Sequence, residues 1–365
     1  MFSPSRKSKS PIERKGIYFF EGREGCLVLE DGTTLAGVSF GGEIPTSGEV
    51  VFTTGMVGYP ESLTDPSYQG QILVLSYPLI GNYGVPDLSR WESDGIKVSG
   101  LIVSDYIDIP SHYESRESLG SWLRREKIPA LIIKDTRLLV GKIRSRGAML
   151  GKIIFERDIP FFDPNASNLV AQVSRKNIEI YGKGKKTILL IDCGAKENII
   201  RSLTDRGVRV MVVPWDADVF SLPGEFHGVL LSNGPGDPTM LTPTIHGVKK
   251  ILKRKIPLLG ICLGNQILAL AAGGKTYKMK FGHRGQNQPC RMVGTEKSYL
   301  TTQNHGFAVD KIPSGFRPWF MNGNDDTNEG LMHRALPVMS VQFHPEAHPG
   351  PEDTDWVFDH FLRYV

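Results

Sequence analysis

Apolar residues in the first half of the chain occur in short runs separated by polar and turn residues. The runs that predict strands are 26–29, 33–40, 50–52, 72–75 and 101–103. An Asp31-Gly32 pair between the first two runs is typical of a hairpin turn. Helical spacing appears only later, at about 115–127 and at 136–146. Strands followed by helices predict an α+β N-terminal domain, which we assign to residues 21–180.

Strand and helix patterns alternate in the second half of the chain. The predicted order is a strand at 187–192, a helix at 196–203, strands at 208–213 and 229–231, a helix at 245–253 and a further strand and helix from 256. Such alternation predicts an α/β domain with an open, mainly parallel sheet covered by helices, at 187–365. A run of glycine and lysine at 181–186 predicts the linker between the two domains.

The first residues have a different composition, with basic residues among serines and prolines, and we predict a flexible tail at 1–20. A transit peptide is the alternative, because no acidic residue precedes Glu13. Pro4 and Pro11 would interrupt the amphipathic helix that such a peptide needs.

The composition of the whole chain excludes several classes of protein. At 365 residues the chain is long enough to form two domains. A net charge of +4 is modest for this length and does not indicate a nucleic-acid-binding protein. No apolar run approaches the ~18 residues of a membrane span. The four cysteines lack disulfide or zinc spacing, which favours a reducing compartment, predicted to be the cytoplasm, and no metal site.

The segment Gly260-Ile-Cys262-Leu-Gly264 lies between an apolar run and a Leu- and Ala-rich helix that ends at a glycine pair. Glycines two residues before and after a nucleophile allow a sharp strand-to-helix turn that presents it at the start of the helix. The positive end of the helix dipole there favours a thiolate. A buried core cysteine is the alternative. The two glycines favour Cys262 as a nucleophile.

Two further segments could complete a catalytic site. His344-Pro-Glu346 follows an alternating strand pattern, so His344 would lie where open α/β sheets build their sites, with a carboxylate within reach of the imidazole. The loop Asn233-Gly-Pro-Gly236 follows a strand, and its glycine amides could stabilise a developing negative charge. Taken singly, a structural histidine and an ordinary turn explain these segments better.

Together, the three segments resemble the class I (triad) glutamine amidotransferases and occur in that family's order. The resemblance implies that Cys262 is the nucleophile, His344 the base and Glu346 the residue that orients it. It also implies an oxyanion hole made by the amides of Gly234 and Leu263. The residues that would hold substrate glutamine are Ser67, Gly236, Gln266, Asn304, Gly306 and Phe307.

Further motifs are similar to the small-subunit family of carbamoyl-phosphate synthetases. They are 58–71, 77–84 and 135–137 in the N-terminal half, and 280–285 and 301–310 in the C-terminal half. The serine matching Ser67 contacts glutamine in that family; without the resemblance, Ser67 would be interpreted as a turn residue after Asp-Pro. The chain departs from the family's Gly-Ile-Asp-Thr-Arg motif, because Ile133-Lys134 precedes Asp135. The role of that loop is therefore not carried over.

The resemblance implies a protein that hydrolyses glutamine and passes ammonia to a large synthetase subunit. That partner would be a separate chain, which uses ATP and bicarbonate to make carbamoyl phosphate for pyrimidine and arginine synthesis. The alternatives are the amidotransferase subunit of another synthetase and a non-catalytic protein. We expect no cofactor in this chain, because Gly273-Gly274-Lys275-Thr276 leaves a helix and lacks the first glycine of a phosphate loop. Cys193, His283 and His305 are predicted to be structural.

Overall fold

Seven strands of the N-terminal half close into a barrel. The computed structural model describes residues 22–222 and 224–365, so the tail predicted at 1–20 lies outside the described residues. The barrel strands are β1 (Glu24–Leu29), β2 (Thr34–Ser39), β3 (Thr46–Thr53), β4 (Gln71–Leu75), β5 (Gly100–Val103), β6 (Ala130–Ile132) and β7 (Met149–Ile154). They are hydrogen-bonded in the order β1-β2-β6-β5-β4-β3-β7, and β7 pairs with β1 to close the ring. Closure leaves none of these strands with a free edge.

Short helices pack against the barrel, whose strands β3, β4 and β5 are buried on both faces. These helices are α1 (Tyr59–Thr64), α2 (Leu119–Arg125) and α3 (Thr136–Arg146). Ile72 and Val74 of β4 belong to a core cluster that includes α3, whereas Leu73 packs on the opposite side in a cluster that includes Trp122 of α2. The predicted strands and helices are present. The closure and the parallel pairing of β3, β4, β5 and β6 go beyond the α+β prediction.

Ten strands form the sheet of the C-terminal half. They are β8 (Glu179–Tyr181), β9 (Thr187–Asp192), β10 (Arg209–Pro214), β11 (Gly228–Leu231), β12 (Leu258–Ile261), β13 (Lys275–Met292), β14 (Ser298–Lys311), β15 (Phe316–Asn322), β16 (Asn328–His333) and β17 (Val338–Val341). The central strands β17-β12-β11-β9-β10 are parallel, as predicted. The antiparallel strands β13 to β16 extend the sheet on one side, which the alternating pattern did not predict.

The remaining helices are α4 (Val170–Val173), α5 (Glu197–Asp205), α6 (Thr242–Lys253), α7 (Leu263–Ala271) and α8 (Trp356–Leu362). The parallel strands β9 to β12 are buried along their length and separate two apolar clusters, one with α6 and α7 and the other with α5 and α8. Near-continuous apolar runs are typical of strands covered on both faces. Within residues 22–222 and 224–365, no helix has the length and apolarity that a membrane crossing requires.

The segment that joins the two domains contacts the second one. The first two residues of β8 lie within the residues predicted for the N-terminal domain, yet β8 pairs antiparallel with β10 at the edge of the second sheet. Val170 of α4 belongs to the apolar core of the second domain. This segment therefore leads the chain along the second domain before the linker predicted at 181–186 is reached.

Candidate active site

Cys262 stands at the sharp turn between β12 and α7, as the sequence predicts. Its backbone has φ 53° and ψ −103°, a conformation that residues with side chains rarely adopt. A side chain on either flanking glycine would clash, because a Cβ at Gly260 would lie 2.6 Å from the carbonyl oxygen of Gly264 and one at Gly264 would lie 2.4 Å from that of Leu231. The glycines thus permit the close packing that holds Cys262 in this conformation.

His344 and Glu346 form a buried ion pair beside this turn. The Nδ1 atom of His344 lies 2.6 Å from Oε1 of Glu346, and both side chains are almost fully buried. Burial opposes the charged imidazole, but the Glu346 carboxylate and the Cys262 sulfur outweigh it and raise the pKa of His344. Burial also opposes the charged carboxylate, but Lys196 and His344 hold the pKa of Glu346 below its usual range. The site therefore stabilises an imidazolium next to a carboxylate.

The second ring nitrogen of His344 is the one available to the thiol. Nδ1 is occupied by Glu346, whereas the buried Nε2 has no hydrogen-bond partner of ordinary geometry among the described residues. The sulfur of Cys262 lies close enough to help raise the pKa of His344. The thiol also points to the carbonyl oxygen of Asn304, at 3.7 Å. This arrangement matches a nucleophile, a base and an orienting group.

A cleft opens in front of Cys262. The structure brings almost all the predicted substrate residues to it. Its lining includes Cys262, Ser67, Gly234, Gly236, Gln266, Asn304, Gly306 and Phe307. The amide of Gln266 is fixed by donation to the carbonyl oxygen of Phe307, at 2.8 Å. Residues that lie up to 240 positions apart in the sequence thus form one surface.

The two residues predicted for the oxyanion hole are neighbours in space. A Cβ at Gly234 would lie 2.8 Å from Cδ2 of Leu263, so the loop after β11 approaches the start of α7. Leu263 is the first residue of α7, where backbone N–H groups have no partner within the helix. The loop after β11 therefore lies beside the start of α7, and the assignment of these two amides to an oxyanion hole stays a prediction.

The barrel contributes directly to this cleft through the loop after α1. The Ser67 hydroxyl accepts a hydrogen bond from Nδ2 of Asn233 at 2.9 Å, next to the predicted oxyanion loop. Asp65 accepts another from Nδ2 of Asn304 at 2.9 Å. Sequence reasoning included Asp65 in a family-like motif but gave it no role. Asp65 and Ser67 join the barrel to both sides of the cleft.

Two residues at the start of α5 hold Glu346 and were missed. The Lys196 ammonium lies 3.2 Å from Oε1 of Glu346 and donates to the carbonyl oxygen of Ala347 at 2.5 Å. Asn198 donates through Nδ2 to the carbonyl oxygen of Glu346 at 2.5 Å. Burial opposes the charge of Lys196, but Glu346 and neighbouring carboxylates outweigh it and raise the pKa of Lys196. A single lysine before a helix carries no local signal of this role.

One cluster of possible metal ligands adjoins the cleft, in the antiparallel part of the sheet. Donor atoms of His283, His305 and Glu329, all buried, lie within 4.8 Å of one another. Protein groups already contact each of them: Nε2 of His283 lies 2.9 Å from Asp325, and Nδ1 of His305 lies 2.9 Å from the carbonyl oxygen of Phe307. Asn322 donates to Glu329 at 2.9 Å. These contacts accord with the structural role predicted for both histidines.

Two protein-family models match the chain. Residues 189–364 match the model described as glutamine amidotransferase class-I. Residues 27–153 match the model described as carbamoyl-phosphate synthase small chain, CPSase domain. The first match contains Cys262, His344 and Glu346, and the second contains Ser67.

The chain is also similar to parts of much longer proteins. It is 50% identical over 353 residues to the human protein named carbamoyl-phosphate synthase [ammonia], mitochondrial, covering 93% of this chain and 23% of that protein. It is 50% identical to the multifunctional protein CAD of Squalus acanthias, covering 92% of this chain and 16% of that protein. It is 45% identical to the multifunctional protein URA2 of Saccharomyces cerevisiae, covering 100% of this chain and 18% of that protein. The chain thus spans about a fifth of the length of these relatives.

Among solved structures, a putative GMP synthase protein from Thermoplasma acidophilum is similar to part of the chain. The sequence identity is 26% and the TM-score 0.44, covering 49% of this chain and 93% of that one.

Proposed function

Because the chain belongs to the family of carbamoyl-phosphate synthase small chains and carries a class-I glutamine amidotransferase domain, we propose that it hydrolyses glutamine to glutamate and ammonia. The ammonia would pass to a synthetase large subunit that uses ATP and bicarbonate to make carbamoyl phosphate, the precursor for pyrimidine and arginine synthesis. The observation that carries the proposal is the buried Cys262, His344 and Glu346 set at the end of a cleft lined by both domains.

The first half of the proposed reaction forms a thioester. The thiol proton of Cys262 resides on Nε2 of His344, because the raised pKa of His344 favours the imidazolium, and the thiolate sulfur attacks the carbon of the glutamine side-chain amide. The amides of Gly234 and Leu263 stabilise the oxyanion of the tetrahedral intermediate. The imidazolium then protonates the amide nitrogen, the C–N bond breaks and ammonia leaves.

The second half of the reaction releases glutamate. Neutral His344 takes a proton from a water molecule, and the oxygen of that water attacks the thioester carbon. The carbon–sulfur bond then breaks, and the Cys262 sulfur leaves as a thiolate beside the imidazolium. Glu346 keeps its charge throughout and stabilises the imidazolium each time it forms. Lys196 in turn neutralises Glu346, so that the buried carboxylate is never left without a cation.

The test compares two nitrogen sources in the complex with the synthetase. Replacing Cys262 by Ser should abolish synthesis from glutamine and leave synthesis from ammonia intact, since the thiol is needed only for amide cleavage. Cys26→Ser is the matched control, because Cys26 lies on strand β1 of the barrel and does not line the cleft. Equal loss of both activities in the Cys262 variant would assign that residue a structural role and overturn the proposal.

A second candidate is a protein that only supports synthesis from ammonia. It is favoured by the names of several relatives, which specify ammonia. The complete set of Cys262, His344 and Glu346 favours glutamine, because ammonia needs no nucleophile to release it. Absence of synthesis from glutamine in the unmodified complex would favour this second candidate instead.

We also propose that the protein acts in the cytoplasm. All four cysteines, which lie within the described part of the chain, are free thiols, as expected in a reducing compartment. Three relatives carry the word mitochondrial in their names. Localisation of the full chain with a C-terminal tag, which leaves the basic N-terminus free, distinguishes the two compartments.

A further inference from the structure

A buried carboxylate of the barrel, Glu92, contacts the second domain directly behind the catalytic loop. Its side chain is fully buried. Oε2 accepts a hydrogen bond from the backbone N–H of Asn198 at 3.0 Å, and Oε1 accepts one from Nη2 of Arg201 at 3.0 Å. Oε1 also lies 2.5 Å from Nδ1 of His348. These three partners all belong to the amidotransferase domain.

Through these contacts, Glu92 caps helix α5 from outside its own domain. The first N–H groups of a helix need acceptors, and a negative charge there is favourable. The residue before the helix, Lys196, makes no side-chain cap, because its ammonium has no acceptor to offer a backbone N–H; it lies at Glu346. The carbonyl oxygen of Glu92 accepts from the N–H of Glu197 at 3.0 Å, and its carboxylate accepts from the next N–H, that of Asn198.

One of the residues that Glu92 contacts, Asn198, also holds Glu346 in place, and Lys196 beside it does the same. Lys196 and Asn198, at the start of α5, contact the carboxylate and the carbonyl oxygen of Glu346. His348 lies two residues beyond Glu346 in the same loop. Glu92 therefore fixes both sides of the loop that carries the orienting carboxylate.

We infer that Glu92 is a positioning residue for the catalytic pair His344 and Glu346, through which the barrel sets the arrangement of the catalytic loop. The inference rests on the proposed glutamine hydrolysis. Glu92 acts by holding the start of α5 and His348, and through them the distance between Glu346 and the imidazole. Docking of the barrel is therefore a part of the catalytic arrangement, in addition to lining the cleft.

The test uses Glu92→Gln in the complex with the synthetase. Glutamine has nearly the same shape but replaces one acceptor oxygen by a donor, so at least one of the N–H groups around it loses its acceptor. We expect kcat for glutamine hydrolysis to fall about 10- to 150-fold, the effect of losing one hydrogen bond to a charged group. The KM for glutamine should change less than about twofold, because the cleft residues are untouched. Alkylation of Cys262 by iodoacetamide should slow in parallel with kcat.

Glu126→Gln is the matched control. Glu126 is another barrel carboxylate with two hydrogen bonds, from the N–H of Ile96 at 2.7 Å and from Nε1 of Trp122 at 2.5 Å, and both partners lie within the barrel. We expect this variant to keep its kcat and alkylation rate. Should Glu92→Gln fail to fold, Glu92→Asp keeps the charge one methylene short of its partners, and a smaller fall in kcat at unchanged KM is expected.

Each outcome separates this inference from the proposed function. A Glu92→Gln variant with normal kcat and only a lower melting temperature, or with a raised KM and normal kcat, overturns the positioning role. The same holds if Glu126→Gln loses as much kcat. If Cys262→Ser retains glutamine hydrolysis, the proposed function itself fails. If Cys262→Ser is inactive and Glu92→Gln behaves like the control, only the inference on Glu92 fails.

Discussion

Replacing Glu346 by Gln tests what the buried negative charge of Glu346 contributes to turnover and to stability. Glutamine keeps the shape of the side chain and an oxygen that can accept from Nδ1 of His344, but it removes the negative charge. In the structure that charge serves two cations at once, the imidazole at 2.6 Å and the Lys196 ammonium at 3.2 Å. The substitution should therefore affect both turnover and stability, and the two effects can be measured separately.

The expected loss of turnover follows from the hydrogen bond to His344. A hydrogen bond to a charged group stabilises by about 1.5–3 kcal/mol. Because the glutamine oxygen can still accept from Nδ1, removal of the charge should lower kcat by at most the corresponding factor of about 10 to 150. Replacing His344 by Asn removes the proton transfer itself, worth about 10²- to 10⁴-fold. The Glu346 variant should therefore retain more glutamine turnover than the His344 variant.

The expected loss of stability follows from Lys196, whose buried charge would be left unpaired. Breaking a buried ion pair from one side costs about 3–5 kcal/mol, part of which can be avoided if the lysine loses its proton. The double variant Glu346→Gln with Lys196→Met should regain much of the melting temperature without regaining kcat. Recovery of both together would mean that the loss of activity in the single variant came from unfolding.

The pH dependence of kcat supplies a further measurement with a definite sign. Burial lowers the pKa of His344, but Glu346 and Cys262 outweigh it, so the native imidazole stays protonated to higher pH than an ordinary histidine. Removing the carboxylate lowers that pKa, and the alkaline limb of the kcat profile should move to lower pH. Glutamate release at saturating glutamine gives the profile. A larger loss than in the His344 variant, or an unmoved alkaline limb, refutes the role of Glu346 as the orienting group.

Two further predictions concern the substrate and the partner. Ser67→Ala should raise the KM for glutamine about 2- to 12-fold with little change in kcat, because one uncharged hydrogen bond in the cleft is lost. Initial-rate kinetics measure both constants. A fall in kcat at constant KM would contradict this prediction. The chain alone should hydrolyse glutamine slowly, and its rate should rise once the synthetase is bound. Ammonia released into water becomes ammonium, which has no lone pair for attack, so hydrolysis without synthesis would waste glutamine. Equal rates with and without the synthetase would contradict this coupling.

The nucleophile turn could be predicted from the sequence because its causes are local. Positions 260 and 264 require glycine, because a Cβ at either position would lie only 2.4 to 2.6 Å from a backbone carbonyl oxygen. This requirement comes from the turn itself and can be recognised in the local sequence. Helix α3 was predicted for a similar reason. Asp135 caps its first turn by accepting from the N–H of Leu138 at 2.8 Å, and Gly147 ends it.

The residues that sequence reasoning missed owe their roles to distant segments. Lys196 precedes a helix and would ordinarily extend into solvent; it is buried here only because the loop after β17 brings Glu346 to it, 150 residues later in the chain. Barrel closure depends in the same way on the pairing of β1 with β7, about 125 residues apart, which no local alternation specifies. Long antiparallel strands such as β13 likewise show no simple alternation, because the register of β13 and β14 shifts at several points.

The boundary between the two matched families does not coincide with the boundary of the site. The family models end at residue 153 and resume at 189, as if the barrel and the amidotransferase domain were separable units. Yet Asp65 and Ser67 of the barrel hold Asn304 and Asn233, one on each side of the cleft. A buried carboxylate such as Asp65 needs its partners, so the barrel is stabilised where it docks by the same hydrogen bonds that shape the cleft. A displacement of the barrel must therefore break contacts of the proposed glutamine site, and a synthetase that contacts the barrel could alter hydrolysis without touching Cys262.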